Sequence, residues 1–504
     1  MSSVLAQQTS RLGAVGWKIP VVFLLLLSAF LTVALANGTA LIWAAIPFAL
    51  VGFVAVAWRA PELFFVAAVF VPQWKTSWPW SLYPNASAYL TVVMLVGLAL
   101  GLLFICFRIS LRIDTWTFER LFFRQKHAFF LFGLFNVMLA LSYLHTDAPS
   151  YGASKLGRVF FIGGLFLLAP LLLLRTENAF RRFSRIYVSF ALLTSLQMIV
   201  DLRTRAANAE NDITRIGAGW LLGMALLLIL LYPVFNDSFL HKLYFAASLP
   251  LLAGGLVASA ARGALVSLVL ILPLAFLLGP RQRQRGMILV FGILGASALG
   301  AFFLLRSADP AKYGSKIGEL VAMSEGRSTK GSASNRIPFY VQTAEAIPAH
   351  ALFGTGVGSW AVFYYGNDAR AYPHNLLLEI TFEEGFLGLA AFILFFVAIG
   401  TTTYRTYQVA GRAFSVVPII VLYSLTVSMF SGDLDDNRLL WLWAGVALAV
   451  CRNVFLTRIS PAAYSGVSCQ PTRRVPGFCP QPVALLRRES RVVQNPKPGL
   501  STSL

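Results

Sequence analysis

Apolar stretches recur along the chain at 20–36, 40–58, 62–73, 88–107, 127–144, 156–174, 183–201, 216–234, 241–257, 262–279, 286–305, 385–403, 414–431 and 438–455. Many approach the ~20 residues an α-helix needs to cross a bilayer, and the pattern predicts an all-α polytopic integral membrane protein with about 12 to 14 transmembrane helices. The stretch 62–73 is short for a crossing, which predicts a re-entrant segment or a tilted one extended into its flanks. The rhythm breaks once, leaving a segment of about 80 residues at 306–384, a length that in a compact protein tends to carry function. Four regions follow: transmembrane helices over 1–305, a large loop over 306–384, further transmembrane helices over 385–456, and a tail over 457–504.

Composition agrees with the pattern. Of 504 residues, 57% are hydrophobic and 12% charged, about half the charged share of a soluble domain. The formal charge of +20 does not point to nucleic acid, because the basic residues are spread along the chain in short runs between apolar stretches. These runs lie at 108–126, 175–182, 280–285 and 404–413 and after Arg452. The positive-inside rule places them all in the cytoplasm, with an even number of crossings between each pair. The opposite, extracytoplasmic face then receives 145–155, 202–215, 306–384 and the acidic turn Asp433, Asp435, Asp436. Arg11 and Lys18 precede the apolar run from Ile19, which reads as a first membrane helix and not as a cleaved signal. The Pro-rich, basic tail is expected to be disordered and to touch anionic lipid headgroups. The cysteines show no CxxC pair or metal-ligand spacing.

The large loop holds the informative residues. Asn335-Arg336-Ile337-Pro338 and the residues to Ala346 predict a short helix that Pro348 ends. Gly354-Thr355-Gly356-Val357-Gly358 lacks the Lys-Ser/Thr ending of a phosphate-binding loop and reads as a tight backbone turn. In Pro373-His374-Asn375-Leu376, Asn375 is placed to cap a helix leading into the next span. On spacing alone, His374 reads as a solvated histidine at a helix start.

The order of these features resembles the O-antigen ligase and O-antigen polymerase superfamily of bacterial membrane glycosyltransferases. Ala261-Arg262-Gly263-Ala264 matches the family's Arg-Gly pair opening a span, Arg336 the second Arg early in the loop, and His374-Asn375 the closing His-Asn pair. Ala261 stands where the family commonly has Ser. The resemblance implies a glycan donor joined through pyrophosphate to a polyprenol lipid and an acceptor sugar hydroxyl, carried by lipid A–core in a ligase or by a second lipid-linked glycan in a polymerase. It implies Arg262 and Arg336 as diphosphate clamps working without a metal or other cofactor, because guanidinium groups grip phosphate oxygens in a fork. It implies His374 as base or acceptor-orienting group, with Asn375 beside it in substrate binding. Arg215, opening the span at 216, is a further substrate-binding candidate, its alternative being an interfacial arginine. Glu383 and Glu384 compete with His374 for the base role, but the resemblance makes this region a structural turn into the span.

The rival class is a transporter or lipid-linked glycan flippase, which would place ionisable side chains near the middle of its spans. Asp201, Arg215 and Arg262 instead fall at span ends. Ligase and polymerase remain open, with the ligase-like form favoured by the single dominant loop. The bacterial inner membrane is the expected location, with the active site facing the periplasm.

Overall fold

The structure, a computed structural model, describes residues 51–74, 84–111, 116–204, 212–232, 239–259, 261–281, 284–290, 292, 295–296, 336–430 and 433–459. The predicted span 20–36, the loop up to residue 335 and the tail beyond 459 lie outside the described residues. Among the described residues all regular structure is helical. The principal helices are α1 (Val51–Arg59), α2 (Pro61–Trp74), α3 (Pro84–Ser110), α4 (Lys126–Tyr143), α5 (Pro149–Leu173), α6 (Glu177–Thr204), α7 (Asp212–Leu231), α8 (Phe239–Ala258), α9 (Arg262–Leu278), α10 (Arg336–Ala346), α11 (Trp360–Tyr365), α12 (Leu376–Ala410), α13 (Val416–Ser428) and α14 (Arg438–Ile459).

Six of these are long and apolar enough to cross a membrane, or seven if the bent pair α1–α2 counts as one span. Four shorter apolar helices, within α7, α8, α9 and α13, accompany them. The protein is therefore an all-α, multi-pass membrane protein. The short stretch at 62–73 is the second arm of the bent pair, turned by 101° from α1. Proline at the first position of α2 explains the restart: it supplies no N–H to a preceding turn and disfavours helical geometry in the residue before it.

Contacts between helix ends define two faces. Arg452, buried near the end of α14, donates to the carbonyl oxygens of Leu121 (3.2 Å), Leu171 (2.8 Å) and Leu174 (3.0 Å). A cation there satisfies the carbonyls that the end of α5 leaves without intrahelical partners. A cleft at the same end brings together Trp116, Arg175, Glu177, Tyr232, Phe414 and Asn453. Arg412 donates to Gly279 O at 3.5 Å. The structure thus draws the basic loops to one end of the bundle. At the starts of α5 and α14, Lys155 meets Asp433, so these two helices run parallel. Close approaches tighten the packing: a Cβ on Gly445 would lie 2.2 Å from Leu167 O, and one on Gly219 2.3 Å from the Ala261 Cβ. Small residues that let helix backbones approach are the usual means of packing in lipid.

The loop residues fold over the other end of the bundle. Thr146 Oγ1, just past α4, donates to Val357 O at 2.8 Å. The Asp368 carboxylate accepts from the backbone N–H groups of Ser150 (2.8 Å) and Tyr151 (3.0 Å), capping α5 from the loop. Gly354, Gly356 and Gly358 all have positive φ, the tight turn that the sequence suggested. α12 breaks at Gly385, where φ is +68°. The carbonyl groups released by that break accept from the loop: Thr355 N–H bonds Phe382 O and Gly356 N–H bonds Glu383 O, both at 2.9 Å. In return Phe386 N–H bonds Ala351 O at 2.8 Å. Backbone groups freed at a break in an apolar setting must be satisfied in this way. A Cβ on Gly354 would stand 2.3 Å from Glu383 O, on a backbone with φ +70°. Gly354→Ala is therefore expected to destabilise the protein by more than the ~1–2 kcal/mol of the left-handed backbone alone, read as a lower melting temperature in detergent.

Candidate active site

The start of α12 sets the first part of the site. Asn375 is its N-cap: the backbone is extended (φ −142°) and Oδ1 accepts from Leu378 N–H at 3.1 Å. The Asn375 Nδ2 donates outward to Met429 O at 3.3 Å, just past α13. His374 precedes the cap with φ +61°, a left-handed conformation uncommon outside glycine. Its ring centroid is 4.5 Å from that of Tyr372 and 6.3 Å from that of Phe339. Tyr340 Oη donates to His374 O at 3.4 Å, tying this turn to α10.

Arg336 is the first residue of α10, and the predicted short helix spans Arg336–Ala346, followed by a 3₁₀ turn over Ile347–His350. Its Nη1 donates to Phe430 O at 2.6 Å. Phe430 also touches α9: a Cβ on Gly263 would lie 2.9 Å from the Phe430 Cβ, which brings the backbone beside Arg262 to the same point. Two carbonyl groups past the end of α13, on Met429 and Phe430, thus hold the starts of α12 and α10, while the Phe430 side chain lies against the start of α9. Arg215 lies one turn before Gly219 in α7, and Gly219 packs on Ala261. The structure therefore brings Arg262, Arg336, His374 and Asn375 to one end of the bundle, with the start of α7 alongside; all five, Arg215 included, are half-buried.

Electrostatics distinguish His374 from a solvated histidine. Burial, and secondarily the positive charge of Arg336, push its pKa down from 6.5 to about 4. The ring is therefore neutral at pH 7. Its Nδ1 is buried and has no hydrogen-bond partner among the described residues. A buried polar atom without a partner calls for an explanation. Burial, with Asp436 nearby, raises Tyr372 to about 12, which keeps the neighbouring phenol uncharged.

One constellation escaped the sequence reading. Lys155, fully buried in the second turn of α5, pairs with Glu379, with Glu383 at 2.6 Å and with Asp433 at 3.1 Å. Tyr151 Oη donates to Asp433, and Leu434 N–H donates to Glu379 at 3.0 Å. At the rim, Arg158 pairs with Asp435 at 2.8 Å, and Arg370 pairs with Asp436. Glu383 is thus bound to Lys155, and neither oxygen of the buried Glu384 has a hydrogen-bond partner among the described residues. Lys155, Glu379, Glu383 and Glu384 all lie within helices that qualify as spans, near the starts of those helices. The available signals were the i, i+4 spacing of Glu379 and Glu383 and the polarity of residues 149–158.

These features define a multi-pass membrane protein whose loop closes over a polar site built at helix ends. Residues 247–393 match the family model described as O-antigen ligase, so this stretch of the chain is similar to that family. The matched stretch contains Arg262, Arg336, His374 and Asn375; Arg215, Lys155 and Asp433 lie outside it. The chain matches no curated protein.

Proposed function

We propose that the protein transfers a glycan from a polyprenyl-pyrophosphate donor to a sugar hydroxyl, in the manner of an O-antigen ligase, at the extracytoplasmic face of the bacterial inner membrane. The observation that carries this reading is the meeting of Arg336 and the Arg262 turn at Phe430, with the unpartnered Nδ1 of His374 close enough for the charge of Arg336 to lower its proton affinity. The positive-inside rule supports the sidedness, because the basic loops collect at the other end of the bundle.

The roles follow from the chemistry of the bond. The acceptor oxygen bonds to the anomeric carbon as the bond from that carbon to the diphosphate oxygen breaks, and its electron pair leaves with the diphosphate. Arg336 and Arg262 stabilise that growing negative charge. The starts of α9, α10 and α12 add the positive ends of three helix dipoles. The hydroxyl proton passes to the His374 ring. Arg215 is proposed to extend the cationic wall, and Asn375 to hold the His374 turn beside the substrate.

A pH dependence follows with a definite sign. In the free protein His374 stays neutral until the pH falls to about 4, so kcat/KM is expected to hold down to that region. A bound diphosphate offsets the charge of Arg336 and raises the proton affinity of the ring. The acid limb of kcat, which reports the substrate complex, is therefore expected at higher pH than that of kcat/KM. Coincident limbs would remove His374 from the role of base.

The test of the function is a reconstituted assay of purified protein with a polyprenyl-pyrophosphate glycan, offering lipid A–core and lipid-linked glycan acceptors separately. A single transfer onto lipid A–core is the expected result. A ladder of products on the lipid-linked acceptor would assign a polymerase, and no transfer to either would overturn the reading.

A further inference from the structure

The buried cluster around Lys155 links the two pieces of backbone that hold the candidate site. On one side is α12, whose Glu379 and Glu383 present carboxylates to Lys155 on one helix face, four residues apart. Glu379 N–H donates to Asn375 O at 2.9 Å, so the first of these carboxylates sits on the helical turn that Asn375 opens. On the other side is the connection from α13 to α14, which carries Met429, Phe430, Asp433 and Leu434. Met429 O receives Asn375, Phe430 O receives Arg336, Asp433 pairs with Lys155, and Leu434 N–H donates to Glu379. We propose that Lys155 is a positioning residue: by joining the first turns of α12 to the α13–α14 connection, it sets where Arg336 stands relative to His374.

The chemistry favours this role over direct contact with substrate. The Lys155 side chain is wholly buried and its ammonium is occupied by three carboxylates. An ammonium has three N–H donors and no acceptor; two of them bond Glu379 and Glu383, and Asp433 adds an ion pair at 3.1 Å. The Tyr151 ring lies 5.8 Å from the ammonium, and Tyr151 Oη holds the other oxygen of Asp433. Removing one member of such a group leaves uncompensated charge in a place where water cannot screen it, whereas replacing charges together by neutral groups is tolerated far better. That difference supplies the experiment.

Two full-length variants are compared with the wild type in detergent: Lys155→Met, and the triple variant Lys155→Met, Glu379→Gln, Glu383→Gln. Among the described residues the titratable groups facing His374 are Arg336, Tyr340 and Tyr372, and of these Arg336 is the one that lowers its proton affinity. NMR titration of the His374 ring, assigned by its loss in His374→Asn, therefore reports how near Arg336 stands. The ring is expected to titrate near 4 in the wild type and at least about half a pH unit higher in the triple variant. Because the inference deepens the proposed function, the transfer assay is run alongside. A kcat lower by about tenfold or more is expected, since small misplacements of reacting groups cost that much. Should Lys155→Met fail to fold, the triple variant decides. A folded triple variant with unchanged His374 titration and unchanged kcat would overturn the proposal. A wild type that transfers nothing would overturn the proposed function instead, and the titration would still decide the role of Lys155.

Discussion

Arg336→Ala is expected to lower kcat for glycan transfer by about 10²–10³-fold, the usual cost of removing one preorganised donor from a site where negative charge develops. The guanidinium is fixed before substrate arrives by its bond to Phe430 O, so no reorganisation is needed when the diphosphate leaves. Substrate affinity is expected to change less than kcat, because the leaving group gains charge in the transition state and the clamp acts most strongly there. Alanine also leaves the Phe430 carbonyl without its partner, which makes a fold control necessary. Arg336→Lys provides it. Lysine keeps a point charge and reaches the same region, but it lacks the planar fork that grips two oxygens at once. The lysine variant is expected to fold with a melting temperature near the wild type and to recover only part of the rate. The acid limb of kcat/KM gives an independent reading. Without the positive charge of Arg336, His374 takes up a proton more readily, so the limb moves up from the region of pH 4. It does not reach 6.5, because burial is the larger cause of the depression and remains. A kcat within threefold of wild type would remove Arg336 from the mechanism.

How much of this was legible in the sequence depends on how far apart the interacting residues lie. Local signals read well. Asn375 followed by an apolar run is the capped start of α12, the segment after Asn335 is α10, and Pro348 stands just past its end. The glycines at 354, 356 and 358 adopt the left-handed backbone that makes a turn. Helix existence followed from apolar length, and the stretch 62–73, too short for a normal crossing, is one arm of a bent pair whose other arm lies within 40–58. Burial of charge was not legible. Lys155 and Glu379 are separated by 224 positions, and each in isolation looks like a solvated residue near a helix start. Nothing local tells Glu379, turned into the bundle, from a surface carboxylate; only the packing of α12 against the α13–α14 connection decides it. The family resemblance supplied the order Arg262, Arg336, His374; that Arg336 and the turn beside Arg262 meet at Phe430 required the fold.

The buried charges also bear on the rival class. Transport pathways place ionisable groups inside spans, and Lys155 with its carboxylates does lie inside. Yet the cluster occupies the second turn of α5 and the segment of α12 before the break at Gly385. Its partners at 433–434 precede α14 altogether. That places it at the helix ends on the same side as His374, where it braces a surface site, and not midway along the spans.

His374→Asn is expected to lower kcat by about 10²–10⁴-fold, the range that general-base assistance contributes, while leaving donor binding nearly unchanged. Asparagine is a better test here than alanine. His374 holds φ +61°, a conformation asparagine adopts far more readily than most residues. Alanine at that position would mix backbone strain into the measured loss and would disturb Asn375, the cap of α12. With asparagine the turn is preserved, and the missing proton acceptor is the principal change. The two single variants are expected to differ in kind. Arg336→Ala loses charge stabilisation of the leaving diphosphate, so donors with better leaving groups should recover rate. His374→Asn loses proton removal from the acceptor, so added imidazole or higher pH should recover rate. A double variant should fall by less than the product of the two losses, because residues that act on one transition state are not additive. If His374→Asn transferred glycan at the wild-type rate, the unpartnered Nδ1 would need another explanation, and the base would have to be sought among other residues at this end of the bundle.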